Sequence, residues 1–347
     1  MRPRHILQLV GSPTDDFHCE LSEMYALGCT NAFFGNELYR FSFAHISPNG
    51  IWCFPESLSL NDRQAAEQHT TADALAIISS MAVDCCLPQL FCLRGMTEFR
   101  AIFNVLSIPF IGNSPLQMDL SADKVLARNI VLASGVNVPE GQVITKASCL
   151  SRSISPISYP VVVKPAGSDN SLGVSLVTDA AQLENAVADA HLYHDRVLIE
   201  EYIEIGREVR CGVIQRGDEL FCLPLEEYAV DANKRPIRLH SDKLVRDSDE
   251  ILDLPASALG LTWIVDREDP ITEIIQSEAL KCYAALGCRH YGLFDFRVDP
   301  SGVPWFLEAG LYCSFSPGSV IVKMCVADGI SLENYFAECV ELAIVGS

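Results

Sequence analysis

Two apolar segments around a tight turn constrain the fold more than any other part of the chain. Within residues 289–319, the four residues 299–302 read Asp-Pro-Ser-Gly, with Pro and Gly where a type I turn favours them. We therefore expect two antiparallel strands, with residue 295 opposite residue 306. Asp295 and Glu308 would then be diagonal neighbours on one face, roughly 7–8 Å apart, close enough for one hard cation to contact both side chains. The sequence predicts a metal site at this hairpin.

The two acids could instead be ordinary solvated strand residues. Against that alternative, the strand positions that point to the other face are apolar, which is untypical of an exposed ribbon. These positions are Phe294, Phe296, Val298, Trp305 and Leu307.

Charge and hydrophobicity exclude several classes of partner. The 45 acids and 25 bases give a formal charge of −20, which repels nucleic-acid phosphates and anionic lipid surfaces. No apolar run approaches the roughly 20 residues of a membrane helix, and residues 1–5 lead into a short strand, 6–10, and not into a signal peptide. We expect a cytoplasmic protein of two or three domains that binds neither nucleic acid nor membrane.

The 14 cysteines are scattered, and only Cys85 and Cys86 are close in sequence. There is no Cys-x-x-Cys pair, and a disulfide framework is more usual in a much smaller secreted chain. Buried free thiols are therefore expected in preference to disulfides or a zinc site.

The first 115 residues alternate between strand-like and helix-like segments, which favours a parallel sheet covered by helices. Ser121 is the expected N-cap of a helix that runs to Gly135. Residues 140–205 read as short strands and one helix, with a polar hinge at 151–158. Further on we expect two strands around 215–218, an acidic and irregular segment at 229–270, and a helix at 272–286.

Two places indicate phosphate binding. The β-branched strand that ends at Lys164 is followed by a loop with glycines and hydroxyls, 166–174, whose backbone N–H groups can turn toward a polyphosphate. Lys124 lies in the first turn of its helix, where a cation calls for an anionic neighbour. A strand-end lysine beside an ordinary turn is the alternative, and Gly-Lys-Ser/Thr of a Walker loop is absent.

The strands at 197–203 and 206–210 could form a nucleoside slot, with Glu200 at the base and Glu208 at the ribose hydroxyls. Ordinary edge-strand acids are an equally good interpretation of these two residues taken alone.

Together these segments resemble the ATP-grasp superfamily, and within it the D-alanine:D-alanine ligase branch, over about residues 85–322. The resemblance implies an α/β fold of three domains: an N-terminal parallel α/β domain (1–120), a small ATP-grasp subdomain (121–205), and a large ATP-grasp subdomain with the metal site (206–347). ATP would lie between two mixed or antiparallel sheets, together with Mg²⁺.

The resemblance also implies roles for single residues. Lys124 and Lys164 would bind the phosphates, and Asp295 and Glu308 would bind magnesium. The other nucleotide contacts would come from Asn170, Ser171, Gly173, Glu200, Tyr202, Ile203, Glu208, Phe294 and Phe306.

The chain also departs from that family's pattern. Leu293 stands where members that phosphorylate a carboxylate usually have arginine, and Gly310 replaces an asparagine that is a magnesium ligand. Near the amino terminus there is no clean equivalent of the acid that holds the first D-alanine. These departures indicate substrates other than two D-alanines.

Several segments look like the ATP-grasp ligases of mycosporine-like amino acid biosynthesis. They are residues 10–14, 170–173, 224–228 and 308–316. This resemblance implies that ATP drives the joining of an amino acid, such as serine or threonine, to mycosporine-glycine. An amino acid ligase that works through an acyl phosphate and an inactive ATP-binding module remain as alternatives, and related ligases are commonly homodimers.

The expected substrates carry carboxylates, for which arginine or a helix N-terminus is a suitable partner. Arg297 shares the predicted metal face, and Lys243 would contact the terminal phosphate from a segment that could close over ATP. Other substrate candidates are Arg238, His240, Ser314, Ser316 and Ser319, with solvated surface residues or a plain turn as the alternative.

Overall fold

The computed structural model describes residues 2–146, 155–168, 171–231, 235–238, 245–246, 252–253 and 260–346. The fold is mixed α/β and contains three main sheets. In the described part of the chain, no helix is long and apolar enough to span a bilayer.

The amino-terminal sheet has the order β3-β2-β1-β4. Its strands are β1 (Arg4–Gly11), β2 (Tyr39–Ile46), β3 (Trp52–Cys53) and β4 (Cys85–Pro88). Strand β1 is parallel to β2 and β4, as the alternating sequence pattern predicts, and β3 adds an antiparallel edge.

Six helices and one π-helical turn follow in residues 16–133, and the last two of these helices contact the large sheet described below. These elements are α1 (Asp16–Ala32), α2 (Leu60–Ala65), α3 (Thr71–Ser80), a π-helical turn (Gly95–Phe99), α4 (Arg100–Val105), α5 (Pro115–Ala122) and α6 (Lys124–Ala133). The expected cap at Ser121 is wrong, because Ser121 lies in the last turn of α5 and donates to the carbonyl of Met118. The cap of α6 is Asp123, which accepts from the N–H groups of Val125 and Leu126. Lys124 is therefore the first residue of α6.

A small antiparallel sheet follows, with the order β5-β8-β6-β7. Its strands are β5 (Gly141–Thr145), β6 (Val161–Pro165), β7 (Ser175–Val177) and β8 (Arg196–Glu201), and helix α7 (Ala180–Ala190) packs on one face. Part of the expected hinge at 151–158 lies outside the described residues.

The large sheet has the order β14-β11-β9-β15-β16, with β10 paired to β9. Its strands are β9 (Arg207–Arg216), β10 (Glu219–Cys222), β11 (Glu226–Tyr228), β14 (Thr262–Ile264), β15 (Tyr291–Val298) and β16 (Pro304–Gly310). Strands β12 (Val245–Arg246) and β13 (Leu252–Asp253) pair separately. Helix α8 (Ile271–Ala285) covers one face of the large sheet.

The predicted hairpin exists, but its predicted register is wrong. Phe296 lies opposite Phe306, and the register then shifts, so that Asp295 lies directly opposite Glu308 and not diagonal to it. The shift occurs at Leu307, which is the extra residue of a β-bulge. The bulge brings the two acids closer together than the sequence alone suggested.

The carboxyl-terminal helices α9 (Val320–Ala327) and α10 (Leu332–Val345) share a core with the amino-terminal sheet. Phe336 of α10 is fully buried against Phe33 and Tyr39. The described cysteines are free, and most are buried, as expected from their scatter. Burial raises the pKa of Cys85 to about 12, so this thiol stays protonated.

Candidate ATP and metal site

Three neighbouring strands present the candidate site on one face of the large sheet. Arg210 on β9, Asp295 on β15 and Glu308 on β16 lie side by side in one cross-strand row. Alternate residues point to the same face of a strand, so Glu208 and Arg297 extend this face from the adjacent row. The opposite face of the sheet is core. The large sheet therefore has a charged face and an apolar face.

This charged face borders a cavity of about 890 Å³. The cavity is also lined by Lys124 of α6, by Ser168 of the loop after β6, and by residues of α1. Asp295 and Glu308 thus share one cavity with a predicted phosphate lysine.

Arg238 places a guanidinium on the predicted metal acid. Its Nη2 atom donates to Oδ2 of Asp295 at 2.6 Å, and its Nε atom donates to Glu208. The guanidinium carbon lies 3.8 Å from the centre of the Tyr228 ring. Arg238 thus places a protein cation against one of the two acids predicted to bind metal.

Glu208 connects two arginines. Arg297 Nη2 donates to its Oε2 atom at 2.6 Å, and Arg238 holds the other oxygen. Burial alone would raise the pKa of Glu208, but the two guanidinium groups outweigh burial and lower it. Glu208 is therefore a buried carboxylate in a satisfied network.

The predicted phosphate and adenine residues of the small sheet pair with each other. Lys164, at the end of β6, forms an ion pair with Glu200 of β8, and both side chains are buried. Lys124 Nζ donates to the carbonyl of Ser168, and the Lys124 backbone N–H donates to the carbonyl of Ala166 at 2.8 Å. Both lysines are thus held at the loop that follows β6.

The loop after β6 requires glycine at one of the predicted positions. Gly173 has φ +71°, and a Cβ atom there would lie 2.7 Å from Tyr193 and 2.8 Å from Pro165. Ser171 also has a positive φ, +60°. Such a backbone can turn N–H groups toward an anion.

Tyr202 and Ile203 lie just after β8, beside Arg297. The guanidinium carbon of Arg297 is 5.2 Å from the Tyr202 ring centre, and its Nη1 atom donates to the carbonyl of Ile203 at 3.2 Å. Arg297 thus ties the nucleoside strand of the small sheet to Glu208 of the large sheet.

Two predicted nucleotide residues do not face the cleft. Phe294 and Phe306 are buried in the core beneath α6 and α8, on the apolar face of the large sheet. Since Phe294 alternates with Asp295 along β15, their side chains point to opposite faces. The structure corrects the expectation that these rings contact nucleotide.

The three predicted substrate serines lie in the loop between β16 and α9. Ser314 and Ser316 are buried, with their hydroxyl oxygens 3.0 Å apart, and Ser319 Oγ is 3.4 Å from Cys313 Sγ. Ser314 and Ser319 line the cavity. Three other predicted residues, Asn170, His240 and Lys243, lie outside the described residues.

Sequence reasoning assigned no role to Arg210 or Tyr228. Arg210 Nε donates to Glu226 at 2.5 Å, and its guanidinium carbon lies 4.9 Å from the Tyr228 ring centre. The spacing Glu208-x-Arg210 within a strand was the available signal, because such residues share a face. Arg210 and Arg238 flank Tyr228 beside the predicted metal ligands Asp295 and Glu308.

A second group of possible metal ligands consists of Cys19 and Glu23 of α1 and His45 of β2. Glu23 accepts from Arg63 at 2.5 Å and bonds His45 at 2.8 Å, so its charge is already compensated. Burial raises the pKa of Cys19 to about 12, which disfavours a metal-binding thiolate. We assign no metal to this group.

The donors at Asp295 and Glu308 fit magnesium. Mg²⁺ in nucleotide sites is usually held by one or two carboxylates together with phosphate oxygens. Two carboxylates from directly opposed residues meet that requirement, and the guanidinium of Arg238 shows that the position accepts a cation.

Comparisons with known proteins give a family match and several relatives. The family model described as D-ala D-ala ligase C-terminus matches residues 130–341. A D-alanine–D-alanine ligase of Bordetella petrii is 26% identical over 243 residues, which is 70% of this chain and 69% of that protein.

Two solved structures match almost the whole chain. The VanG D-Ala:D-Ser ligase of Enterococcus faecalis superposes with a TM-score of 0.78 at 20% identity, covering 99% of this chain and 100% of that one. A Bacillus anthracis D-alanine–D-alanine ligase complexed with ATP gives 0.69 at 19% identity, covering 99% and 98%.

Proposed function

Because the chain belongs to the D-ala D-ala ligase C-terminus family and is an ATP-dependent ligase that forms carbon–nitrogen bonds, we propose that it joins the amine of an amino acid to an acceptor that ATP first phosphorylates. The observation that carries this proposal is the direct opposition of Asp295 and Glu308 in a cavity shared with Lys124. Both a carboxylate oxygen and a ring carbonyl oxygen could attack ATP in such a cleft, so there are two candidate acceptors.

We propose the following roles for the described residues. Lys124, Lys164 and the backbone of the loop after β6 bind and align the triphosphate. Asp295 and Glu308 hold Mg²⁺, which would neutralise charge that develops on the terminal phosphates. Glu200 and Ile203 would bind the base once ATP separates Lys164 from Glu200. The acceptor oxygen then attacks the terminal phosphorus, ADP leaves, and the amine later displaces phosphate.

The first candidate acceptor is the carboxylate of an amino acid, as in an acyl-phosphate ligase. The names of the relatives support this candidate better than any other, since they include D-alanine–D-alanine and D-Ala:D-Ser ligases.

The second candidate acceptor is mycosporine-glycine, whose ring carbonyl is a vinylogous amide and too electron-rich for direct attack by an amine. Phosphorylation of its oxygen would create a leaving group. One observation favours this candidate: the row beside the metal acids consists of Gly212, Leu293 and Gly310, which offers no guanidinium or amide to a tetrahedral carboxylate intermediate.

An assay of ADP release with product mass spectrometry tests the proposal. Purified protein receives ATP and Mg²⁺ with either a panel of D- and L-amino acids, or mycosporine-glycine plus serine, threonine or glycine. The matched control is the Asp295→Asn/Glu308→Gln protein.

The product identifies which of the two candidate acceptors the protein uses. Amino-acid-dependent ADP and a dipeptide support the first acceptor. A product that absorbs further into the near ultraviolet supports the second. If ADP forms in neither arm, the ligase proposal is wrong. The proposed homodimer is tested separately, by sedimentation equilibrium.

A further inference from the structure

A histidine–aspartate pair lies at the start of helix α1, outside the residues assigned above. Asp15 is the N-cap of α1 and accepts from the backbone N–H of His18 at 2.8 Å. Its carboxylate oxygens also lie 2.9 Å and 2.8 Å from the Nδ1 atom of His18. Since a carboxylate only accepts here, Nδ1 carries the hydrogen, and in the neutral ring Nε2 is the nitrogen with the lone pair.

The imidazole faces the reaction cavity. His18 lines the same cavity as Asp295 and Glu308, and its side chain is 27% exposed. Phe17 packs edge-on against the ring, with centroids 5.2 Å apart. Within the described part of the chain, no protein group bonds to Nε2. His18 thus brings to the cavity lining an imidazole whose Nδ1 is fixed by Asp15.

The proposed reaction requires such an atom. An amino acid enters with a protonated amine, which has no lone pair with which to attack, so one proton must leave before the carbon–nitrogen bond forms. A carboxylate that holds Nδ1–H both orients an imidazole and stabilises its protonated form.

We propose that His18, oriented by Asp15, is the base that deprotonates the attacking amine; this inference rests on the proposed ligase function. His18 Nε2 takes one proton from the ammonium group. The neutral amine then forms the carbon–nitrogen bond while the carbon–oxygen bond to phosphate breaks. Phosphate departs with the bonding electron pair and takes the second proton of the amine.

The charged surroundings of His18 are mixed in sign. On its own helix the nearby charged groups are Asp16 and Glu20. Helix α1 packs on β1 and near the backbone of β13. Other elements around the cavity contribute further charged and titratable groups to its lining; they are Arg94, Asp119, Asp123, Lys124, His194, Arg196, Arg210, Arg235, Arg238, Asp295 and Glu308.

The test compares two nucleophiles. An amino acid amine needs a base at neutral pH, whereas hydroxylamine is already unprotonated there. His18→Gln should slow product formation with the amino acid by about 100-fold or more. With hydroxylamine it should match the wild type. In His18→Gln the acidic limb of the pH–rate profile with the amino acid should move to higher pH, because only amine that has already lost its proton in solution can then attack.

Asp15→Ser separates orientation from helix capping. Serine is as good an N-cap as aspartate, so α1 should remain intact, but the carboxylate that orients the ring is lost. We expect an intermediate rate loss of about 10-fold with the amino acid and none with hydroxylamine. His69→Gln, outside the cavity lining, is the matched control and should behave as wild type.

Two results would overturn the assignment. One is an equal loss of rate with both nucleophiles, and the other is an undiminished rate with the amino acid. If the wild type releases no ADP with any acceptor, the ligase proposal itself fails. Nitrogen NMR of the free protein tests the pair without turnover: wild type should show the Nδ1-protonated tautomer of His18 and Asp15→Ser a mixture, and an Nε2-protonated wild type contradicts the pair.

Discussion

His290 is a buried titratable group that links the start of β15 to the amino-terminal segment. Its Nδ1 atom accepts from the backbone N–H of Gly112 at 3.0 Å. Burial, together with Arg289 and Arg100, lowers the pKa of His290 from 6.5 to about 3. The folded protein therefore holds this imidazole neutral.

The sign of the resulting pH dependence follows from linkage. Between pH 6.5 and about 3 the unfolded chain binds a proton at His290 that the folded chain does not, so stability is lost as the pH falls through this window. The loss amounts to about 1.4 kcal/mol per pH unit for one group. We predict that His290→Asn, which tolerates the positive φ of this position, is less sensitive to acid than wild type between pH 6.5 and 5.

Urea unfolding at several pH values measures this difference. The free energy of unfolding of the wild type should fall more steeply than that of His290→Asn. Parallel slopes would show that His290 titrates alike in the folded and unfolded states.

Gly310 and Gly212 lie in the same cross-strand row but differ in the space beside them. A Cβ atom at Gly310 meets only Tyr312, at 4.0 Å, whereas at Gly212 it meets Leu223 at 3.0 Å and Met324 at 3.1 Å. We predict that Gly310→Asn folds with wild-type stability and strengthens Mg²⁺ binding, because it adds an oxygen ligand beside the two acids.

Gly212→Asn is the matched control. It should lose roughly 1–3 kcal/mol of stability through overpacking, without a gain in metal binding. Melting temperatures and metal titrations distinguish the two variants. If Gly310→Asn is as unstable as Gly212→Asn, position 310 does not have room for a side chain.

At the scale of single elements, the sequence predicted the hairpin that carries Asp295 and Glu308 because the turn at 299–302 and the alternating apolar residues are local signals. Its register was not predictable in the same way. The bulge at Leu307 has no local turn signal of this kind, and it moved Asp295 from a diagonal position to one opposite Glu308. The break between α5 and α6 was missed because Ser121 and Asp123 are both good caps.

Arg238 belongs to the segment 229–270 and brings its guanidinium to β9 and β15. Removing it leaves the buried carboxylates of Glu208 and Asp295 without this cation. We predict that Arg238→Gln is destabilised by on the order of 3 kcal/mol in the absence of metal. Added Mg²⁺ alone should then raise its melting temperature more than that of the wild type, since the ion replaces the missing charge.

Arg216→Gln is the control for Arg238→Gln. Its partner Glu338 lies at 2.6 Å on a half-exposed surface, and such pairs contribute about 1 kcal/mol or less. Mg²⁺ should not affect this variant. If Mg²⁺ raises the melting temperatures of both variants equally, Arg238 does not occupy the position where the metal binds.

At the scale of the whole molecule, the first and last parts of the chain form one core. Phe336 in α10 is fully buried against Phe33 from the amino-terminal part. Periodicity predicts each helix and strand separately, but it contains no information about which distant elements pack together. The same limit applies to Arg238 and to His18, whose places at the cavity depend on long-range packing.

We predict that Phe336→Ala destabilises the protein by about 3–5 kcal/mol, because it leaves a cavity in this shared core. Phe34→Ala, at a ring that is 92% exposed, should change stability little. Denaturation monitored by circular dichroism measures both. A small effect of Phe336→Ala would mean that the two ends of the chain are energetically independent.

We propose that Asp295 and Glu308 hold the metal of a bound metal–ATP complex. Titration of Mn²⁺–ATP into the protein, monitored by electron paramagnetic resonance, measures this binding. We predict one bound complex for wild type and an affinity at least about 100-fold weaker, near 2.7 kcal/mol, for Asp295→Asn/Glu308→Gln with an unchanged fold. Equal binding of Mn²⁺–ATP by both proteins would contradict the claim.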